Sequence, residues 1–270
     1  MKFFFDNKYF IDYDKTGSGK LNLILLHGYG TSKETWRYVR PLLEKDYTLY
    51  LLDMKGFGLS SKPKDKRYTA ADQAVIINAF IANQNLNNVV IVGHSFGGAV
   101  ALYSYLADKT RIKKIILVDP SIYLTKLPFI AIAAKFPLVK WFIMYLVPNK
   151  IKARISLRFL IYKNNPIPEE NVEKFAAYLK TSGAYNAFIQ TANLMVPYIN
   201  EELSPRLKEI NIPVQIIWGK NDPLLPYKQA LKLRDEIPPA VLHLVEDCGH
   251  IPQIEKPEEA VRVMKLFLNA

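Results

Sequence analysis

The sequence predicts an α/β fold: a mostly parallel twisted sheet flanked by helices, with a helical cap insertion. Two observations carry this reading. Short apolar runs alternate with helix-length amphipathic segments along most of the 270 residues, which is the pattern of βαβ units covered on both faces. In one block, 121–199, that alternation stops and helix-like segments follow one another with no convincing strand between them.

The elements follow in order. Segments 2–5 and 9–13 read as an N-terminal hairpin, and 21–26 as the first long apolar strand. A helix over 36–43, a strand over 48–53 and a helix over 71–83 come next. A strand at 89–93 and a helix at 98–107 flank a tight turn, and a strand at 114–118 closes the first half. The block 121–199 is punctuated by Pro128, Pro137, Pro148, Pro166, Pro168 and Pro197. Because it follows the 114–118 strand, it is expected over the carboxyl edge of the sheet, where ligands of open α/β sheets bind. A strand at 214–218, a helix at 228–236, a strand at 241–245 and a helix at 257–268 complete the chain. Residues 1–120 and 200–270 therefore form the expected core, and 121–199 the cap.

Composition narrows the classes. Half the residues are hydrophobic and 23% are charged, as in ordinary globular proteins. The single cysteine, Cys248, excludes an intramolecular disulfide and a cysteine-built zinc site. The four histidines (His27, His94, His243 and His250) show no close metal-ligand spacing, so neither a metal nor a cofactor is expected. Met1-Lys2-Phe3-Phe4-Phe5 is too short for a signal peptide and ends at Asp6, so a cytoplasmic protein is expected. Lys126, Lys135, Lys140, Pro128 and Pro137 break the apolar stretch 122–147, which is not read as a membrane span. The net charge is +11, and 121–180 holds ten Lys/Arg against three Glu. Such an excess fits an anionic lipid surface, an acidic substrate or simple solubility. No nucleic-acid motif accompanies it, and no nucleic-acid partner is expected.

The chemistry lies in Gly93-His94-Ser95-Phe96-Gly97, directly after Asn88-Val89-Val90-Ile91-Val92 and before a helix-like stretch. Strand, G-x-S-x-G and helix form the nucleophile-elbow pattern, in which the glycines let a strained serine sit at a strand tip. An exposed hydroxyl is a poor nucleophile without a base and an orienting acid. Downstream, the acid is Asp222, in the loop after 214–218, and the base is His250, in Asp247-Cys248-Gly249-His250 after the last strand. Asp119, at the end of another strand, is the rival acid. Without those partners Ser95 would be an ordinary helix N-cap, Asp222 a turn residue before Pro223, and His250 a loop histidine.

Together with His27-Gly28-Tyr29-Gly30, Asp53-Met54-Lys55-Gly56-Phe57-Gly58-Leu59-Ser60, Gly93-His94-Ser95-Phe96-Gly97-Gly98, Gly219-Lys220-Asn221-Asp222 and Gly249-His250, the chain resembles the α/β-hydrolase superfamily, in its serine-nucleophile, lidded esterase- or lipase-like form. Lys55 departs from the arginine common there. The resemblance implies Ser95 as nucleophile, Asp222 as triad acid and His250 as general base. It also implies an oxyanion hole from the backbone N–H groups of Phe96, where a helix begins, and of Tyr29 in the H-G-x loop. His27 is expected to stiffen that loop and His94 to pack beside the elbow. His243 reads as a sheet residue, Asp53 and Lys55 as loop-holding residues, Asp247 as structural, and Cys248 as a packing residue.

The expected reaction is acyl transfer to water on a small-molecule ester. Serine at the elbow argues against the Asp-nucleophile dehalogenases and epoxide hydrolases of the superfamily. Twenty of the 26 residues in 122–147 are apolar, with Phe129, Phe136, Trp141, Phe142 and Tyr145 among them. Lys126, Lys135, Lys140, Lys150, Lys152, Arg154 and Arg158 are interleaved or follow. An apolar, basic cap suits short- to medium-chain or lipid-like esters and peripheral contact with anionic lipid. The alternatives are a C–C bond hydrolase of ring-fission products, other serine-triad chemistries such as haloperoxidase-like or proline iminopeptidase activity, a slow-turnover ligand receptor, and a membrane-associated scaffold.

Overall fold

The computed structural model describes residues 1–123, 146–198 and 202–270. Eight strands form one sheet: β1 (Lys2–Phe5), β2 (Tyr9–Thr16), β3 (Asn22–Leu26), β4 (Thr48–Leu52), β5 (Val89–His94), β6 (Ile112–Val118), β7 (Val214–Gly219) and β8 (Ala240–Val245). Their order is β1-β2-β4-β3-β5-β6-β7-β8, with β1, β2 and β4 joined antiparallel and all later neighbours parallel. The hairpin is present, but its second strand runs on to Thr16 because Tyr13–Thr16 pairs with Leu49–Leu52 of β4. One strand thereby fastens the N-terminal hairpin to the parallel sheet.

The central parallel strands β3 and β5 are almost wholly buried, as a sheet covered on both faces requires. One apolar layer packs beneath α2 (Ala70–Asn83) and α3 (Phe96–Ala107), with Ile24, Leu26, Ile91, Phe80 and Leu102 in it. The opposite layer places Leu25, Val92, Ile116 and Trp36 against the C-terminal helix (Pro257–Asn269) through Val261 and Met264. A capping box, in which Thr69 and Asp72 each accept from the other's backbone N–H, fixes the start of α2.

The helix expected over 36–43 is instead a 3₁₀ turn (Lys33–Trp36) followed by a four-residue helix, α1 (Arg40–Leu43). The cause is Pro41: it has no N–H to give to Arg37, and its ring would strike that carbonyl if the helix ran through. The helix after the elbow starts at Phe96, two residues ahead of the expected position.

Between β6 and β7 the described residues hold three α-helices, α4 (Asn149–Arg158), α5 (Glu169–Leu179) and α6 (Ala184–Tyr198), and then a 3₁₀ helix (Ser204–Glu209). Ala153, Leu157, Val172 and Ala176 form a small apolar cluster of their own, which meets Ile251 of the core. Lys126, Lys135 and Lys140, with Pro128, Pro137, Phe129, Phe136, Trp141, Phe142 and Tyr145, lie outside the described residues. After β7 come α7 (Lys228–Glu236), α8 (Pro252–Glu255) and α9 (Pro257–Asn269). Among the described residues no helix is long and apolar enough to cross a membrane.

Candidate active site

Ser95 stands between the end of β5 and the start of α3 with φ 51° and ψ −117°. Such a conformation costs energy in an L-residue and persists only where its surroundings impose it. Here a side chain at Gly93 would overlap the Gly97 carbonyl, and one at Gly97 would come to 2.5 Å from the Leu26 carbonyl oxygen. Three hydrogen bonds then lock the turn. The Ser95 N–H donates to Val118 (2.9 Å), and the Ser95 carbonyl accepts from Gly98 (2.9 Å) and Ser121 (3.1 Å).

The hydroxyl so placed meets a relay. Ser95 Oγ lies 3.0 Å from His250 Nε2, and His250 Nδ1 lies 2.6 Å from Asp222 Oδ2. Both side-chain partners in the second bond are buried, His250 to 2% exposure and Asp222 to none. A carboxylate only accepts, so Nδ1 carries the proton and the Nε2 lone pair faces the hydroxyl. Asp222 Oδ1 accepts from the N–H groups of Leu224 (2.7 Å) and Leu225 (2.9 Å), which fixes the carboxylate plane.

The backbone of His250 is clamped on every side. Its N–H donates to Leu160 (2.7 Å), and its carbonyl accepts from His94 Nε2 (2.8 Å). The Glu255 carboxylate accepts from the N–H groups of Gly249 (3.1 Å), Ile251 (3.3 Å) and Tyr162 (2.9 Å), and from Asn165 Nδ2 (2.8 Å). Sequence reasoning missed Glu255. Its one signal was a carboxylate five residues past the histidine, on a helix too short to register as a period.

Asp119 sits against Asp222 but bonds neither ring nitrogen of His250. Its Oδ1 accepts from Gly219 N–H (3.0 Å), and its Oδ2 has no hydrogen-bond partner among the described residues. Burial, and then the charge of Asp222, hold its carboxyl well above the usual carboxylate range. Ligand-type atoms of Asp119, Asp222 and His250 lie within 4.8 Å of one another, but both ring nitrogens of His250 are engaged, by Asp222 and by Ser95.

On the other flank of Ser95 runs the loop after β3. His27 Nδ1 donates to the Gly28 carbonyl (2.7 Å), while its Nε2 accepts from Met54 N–H (3.0 Å). Burial lowers its pKa to about 4, so the ring stays neutral and spans the two loops as a fixed brace. Gly28 passes so near the elbow that a Cβ there would be 3.2 Å from Ser95 Cβ. Tyr29 is anchored by its hydroxyl on Phe188 O (2.9 Å) and by ring contact with Phe188 at 4.4 Å. Phe96, the first residue of α3, has an N–H without an intrahelical acceptor.

A cavity of about 230 Å³ opens over Ser95 and His250. The inserted helices wall it with Leu157, Phe175, Tyr178, Phe188 and Met195, while Arg37, Asn171 and Lys174 gather at a polar end. There Arg37 donates to Asn171 Oδ1 (2.6 Å) and pairs with Glu170 (2.9 Å), and Lys174 pairs with Glu34 (3.2 Å).

A family model described as the alpha/beta hydrolase family matches residues 23–263. The chain belongs to that family. It is 28% identical over 270 residues to a 2-hydroxy-6-oxo-6-phenylhexa-2,4-dienoate hydrolase of Comamonas testosteroni, covering 97% of this chain and 92% of the relative. It is 27% identical over 250 residues to Lipase 3 of Moraxella sp. (strain TA144), covering 91% and 76%. An esterase from Exiguobacterium antarcticum superposes with a TM-score of 0.83 at 22% identity, covering 98% of this chain and 97% of that one, a likeness of fold alone.

The other residues of interest in this alpha/beta hydrolase hold structure, and of them His94 alone touches the relay, through the His250 carbonyl. Asp53 accepts from Lys33 N–H (2.7 Å) and Leu59 N–H (2.8 Å), and Lys55 pairs with Asp65 (2.8 Å). His243, in β8, pairs with Glu259 (2.9 Å). His94 packs edge-on against Trp36, and Asp247 takes a left-handed φ of 49° in the turn before His250. Cys248 is fully buried among Val245, Ile217 and Met264, where burial raises its thiol well above the usual range.

Proposed function

We propose that the protein is a serine hydrolase of carboxylic esters, with short- to medium-chain or lipid-like acyl groups, and that the inserted helices are its cap. The observation that carries this is the hydrogen-bonded order Ser95 Oγ, His250 Nε2, His250 Nδ1, Asp222 at the floor of an apolar cavity. In this reading Ser95 Oγ attacks the ester carbonyl carbon and His250 takes the hydroxyl proton. The developing oxyanion is held by the N–H groups of Tyr29 and Phe96. Collapse expels the alcohol, protonated by His250, and leaves an acyl-Ser95. Water, deprotonated by the same imidazole, then releases the acid.

Asp222 is the acid of this scheme, because it bonds Nδ1 while Asp119 does not. Similarity to a lipase over most of the chain supports the ester reading. The second reading, C–C bond hydrolysis, draws on the dienoate hydrolase relative, whose named substrate has a 6-oxo group and no ester. Hydrolysis of p-nitrophenyl esters from acetate to palmitate, with Ser95→Ala as control, decides between them. We expect turnover peaking at one chain length and lost in the variant with its fold intact. A folded parent that turns over no ester would shift the assignment to the carbon–carbon reaction.

A further inference from the structure

The exposed side of α4 has a regular composition. Three basic–apolar pairs, Lys150-Ile151, Arg154-Ile155 and Arg158-Phe159, recur every four residues, so they stack along one helix face. Ile151, Ile155 and Phe159 are 50%, 46% and 62% exposed, and Leu146, just ahead of the helix, is 55% exposed. The opposite face, with Ala153 and Leu157, is buried against α5 and Ile251. Among the described residues, the solvent-facing apolar stripe is therefore not needed for packing. The helix contains four basic residues and no acidic one, and 146–180 holds seven Lys/Arg against three Glu.

We propose that this face of α4 docks on an anionic lipid surface. An apolar stripe beside a row of cations fits that partner and no other so well: isoleucine and phenylalanine enter the acyl boundary while lysine and arginine meet lipid phosphates. Lys150 pairs with Glu173 (2.9 Å) and Arg154 with Glu169 (2.5 Å), but all four side chains are more than half exposed, and such pairs exchange partners at small cost. Arg158 instead caps the end of α4, donating to the Ile161, Tyr162 and Asn165 carbonyls. The stripe is also continuous with the cavity, because Phe159 lines both. A lipid-borne ester would thus enter from the bilayer along α4 toward Ser95. That last clause rests on the ester-hydrolase reading; the docking does not.

The test is flotation of the full chain with vesicles of phosphatidylcholine alone or with phosphatidylglycerol, beside turnover of soluble p-nitrophenyl acetate. The parent should bind the phosphatidylglycerol vesicles and release from them at high salt, as screened attraction requires. The double variant Ile151→Ser/Ile155→Ser should bind at least about tenfold more weakly, while its acetate turnover stays within about twofold of the parent. Three results overturn the proposal: no binding by the parent, undiminished binding by the double variant, or a lipid-free dimer that the double variant abolishes, which would assign the face to a second copy. Binding is read without turnover, so loss of acetate hydrolysis on Ser95→Ala tests the ester reading separately.

Discussion

Two carboxylates compete for His250, and distance decides between them. Asp222 touches Nδ1 at 2.6 Å; Asp119 lies against Gly219 N–H and Asp222 instead. Asp222→Asn is expected to lower kcat/KM for an ester by about ten-thousandfold, because an amide no longer holds the working tautomer. Asp119→Asn should cost far less, and a steady-state assay showing the reverse order would name Asp119 as the acid. A second residue-scale prediction concerns pH. His27 titrates near 4 in the folded chain against an ordinary 6.5, so between those values the unfolded chain binds a proton that the folded one refuses. Stability from this group is present above 6.5 and is lost as pH falls toward 4, by about 3 kcal/mol in all. Asp53, raised to about 6 by burial, acts with the opposite sign, losing stability as pH rises toward 6, and so masks the effect in the parent. Comparing urea melts of the parent and His27→Gln isolates it: the parent's advantage should shrink on acidification, and a constant difference would rule out a buried neutral His27. Ser95, His250, Asp222 and the His27 brace were all legible in the sequence, since each sits in a short motif at a strand end. Glu255 was not, because its four hydrogen bonds join segments that lie about ninety residues apart as well as near neighbours.

At the scale of elements, what the sequence obscured was local and had steric causes. Pro41 splits one expected helix, and the second edge of β2 is invisible in the polar letters Asp14-Lys15-Thr16 until β4 is folded against it. The long apolar strands were plain, because strands buried on both faces need continuous apolar runs. Two element-scale outcomes can be measured. Thr69→Ala should cost about 1 kcal/mol by removing the oxygen that caps α2, seen as a lower urea midpoint with an unchanged slope. Arg37→Ala should loosen α5 from the 3₁₀ turn, since Arg37 supplies the bonds to Asn171 and Glu170. Limited proteolysis should then cut faster between α4 and α6, with little change in the melting temperature of the sheet; an unchanged cleavage rate would show that Lys174–Glu34 and apolar contacts suffice.

Across the whole molecule, the division of labour follows the charge. In sequence, most of the +11 excess falls in 121–180, between the strand that precedes Ser95 and those that precede Asp222 and His250. The core needs little charge to fold, while Lys150 and Arg154 of the inserted helices stand more than half exposed. Composition located that asymmetry but not its geometry, because only the helix register shows that cations and apolar side chains share one face of α4.

Cys248, the chain's single thiol, lies directly before Gly249 and His250 and is sealed in the core. A thiol so buried reacts with a disulfide reagent only when the segment around it opens. The rate of its labelling in the native protein is therefore a clock for the loop that carries His250. It reads how often the histidine leaves its place, with no probe to attach and no second thiol to confuse the signal.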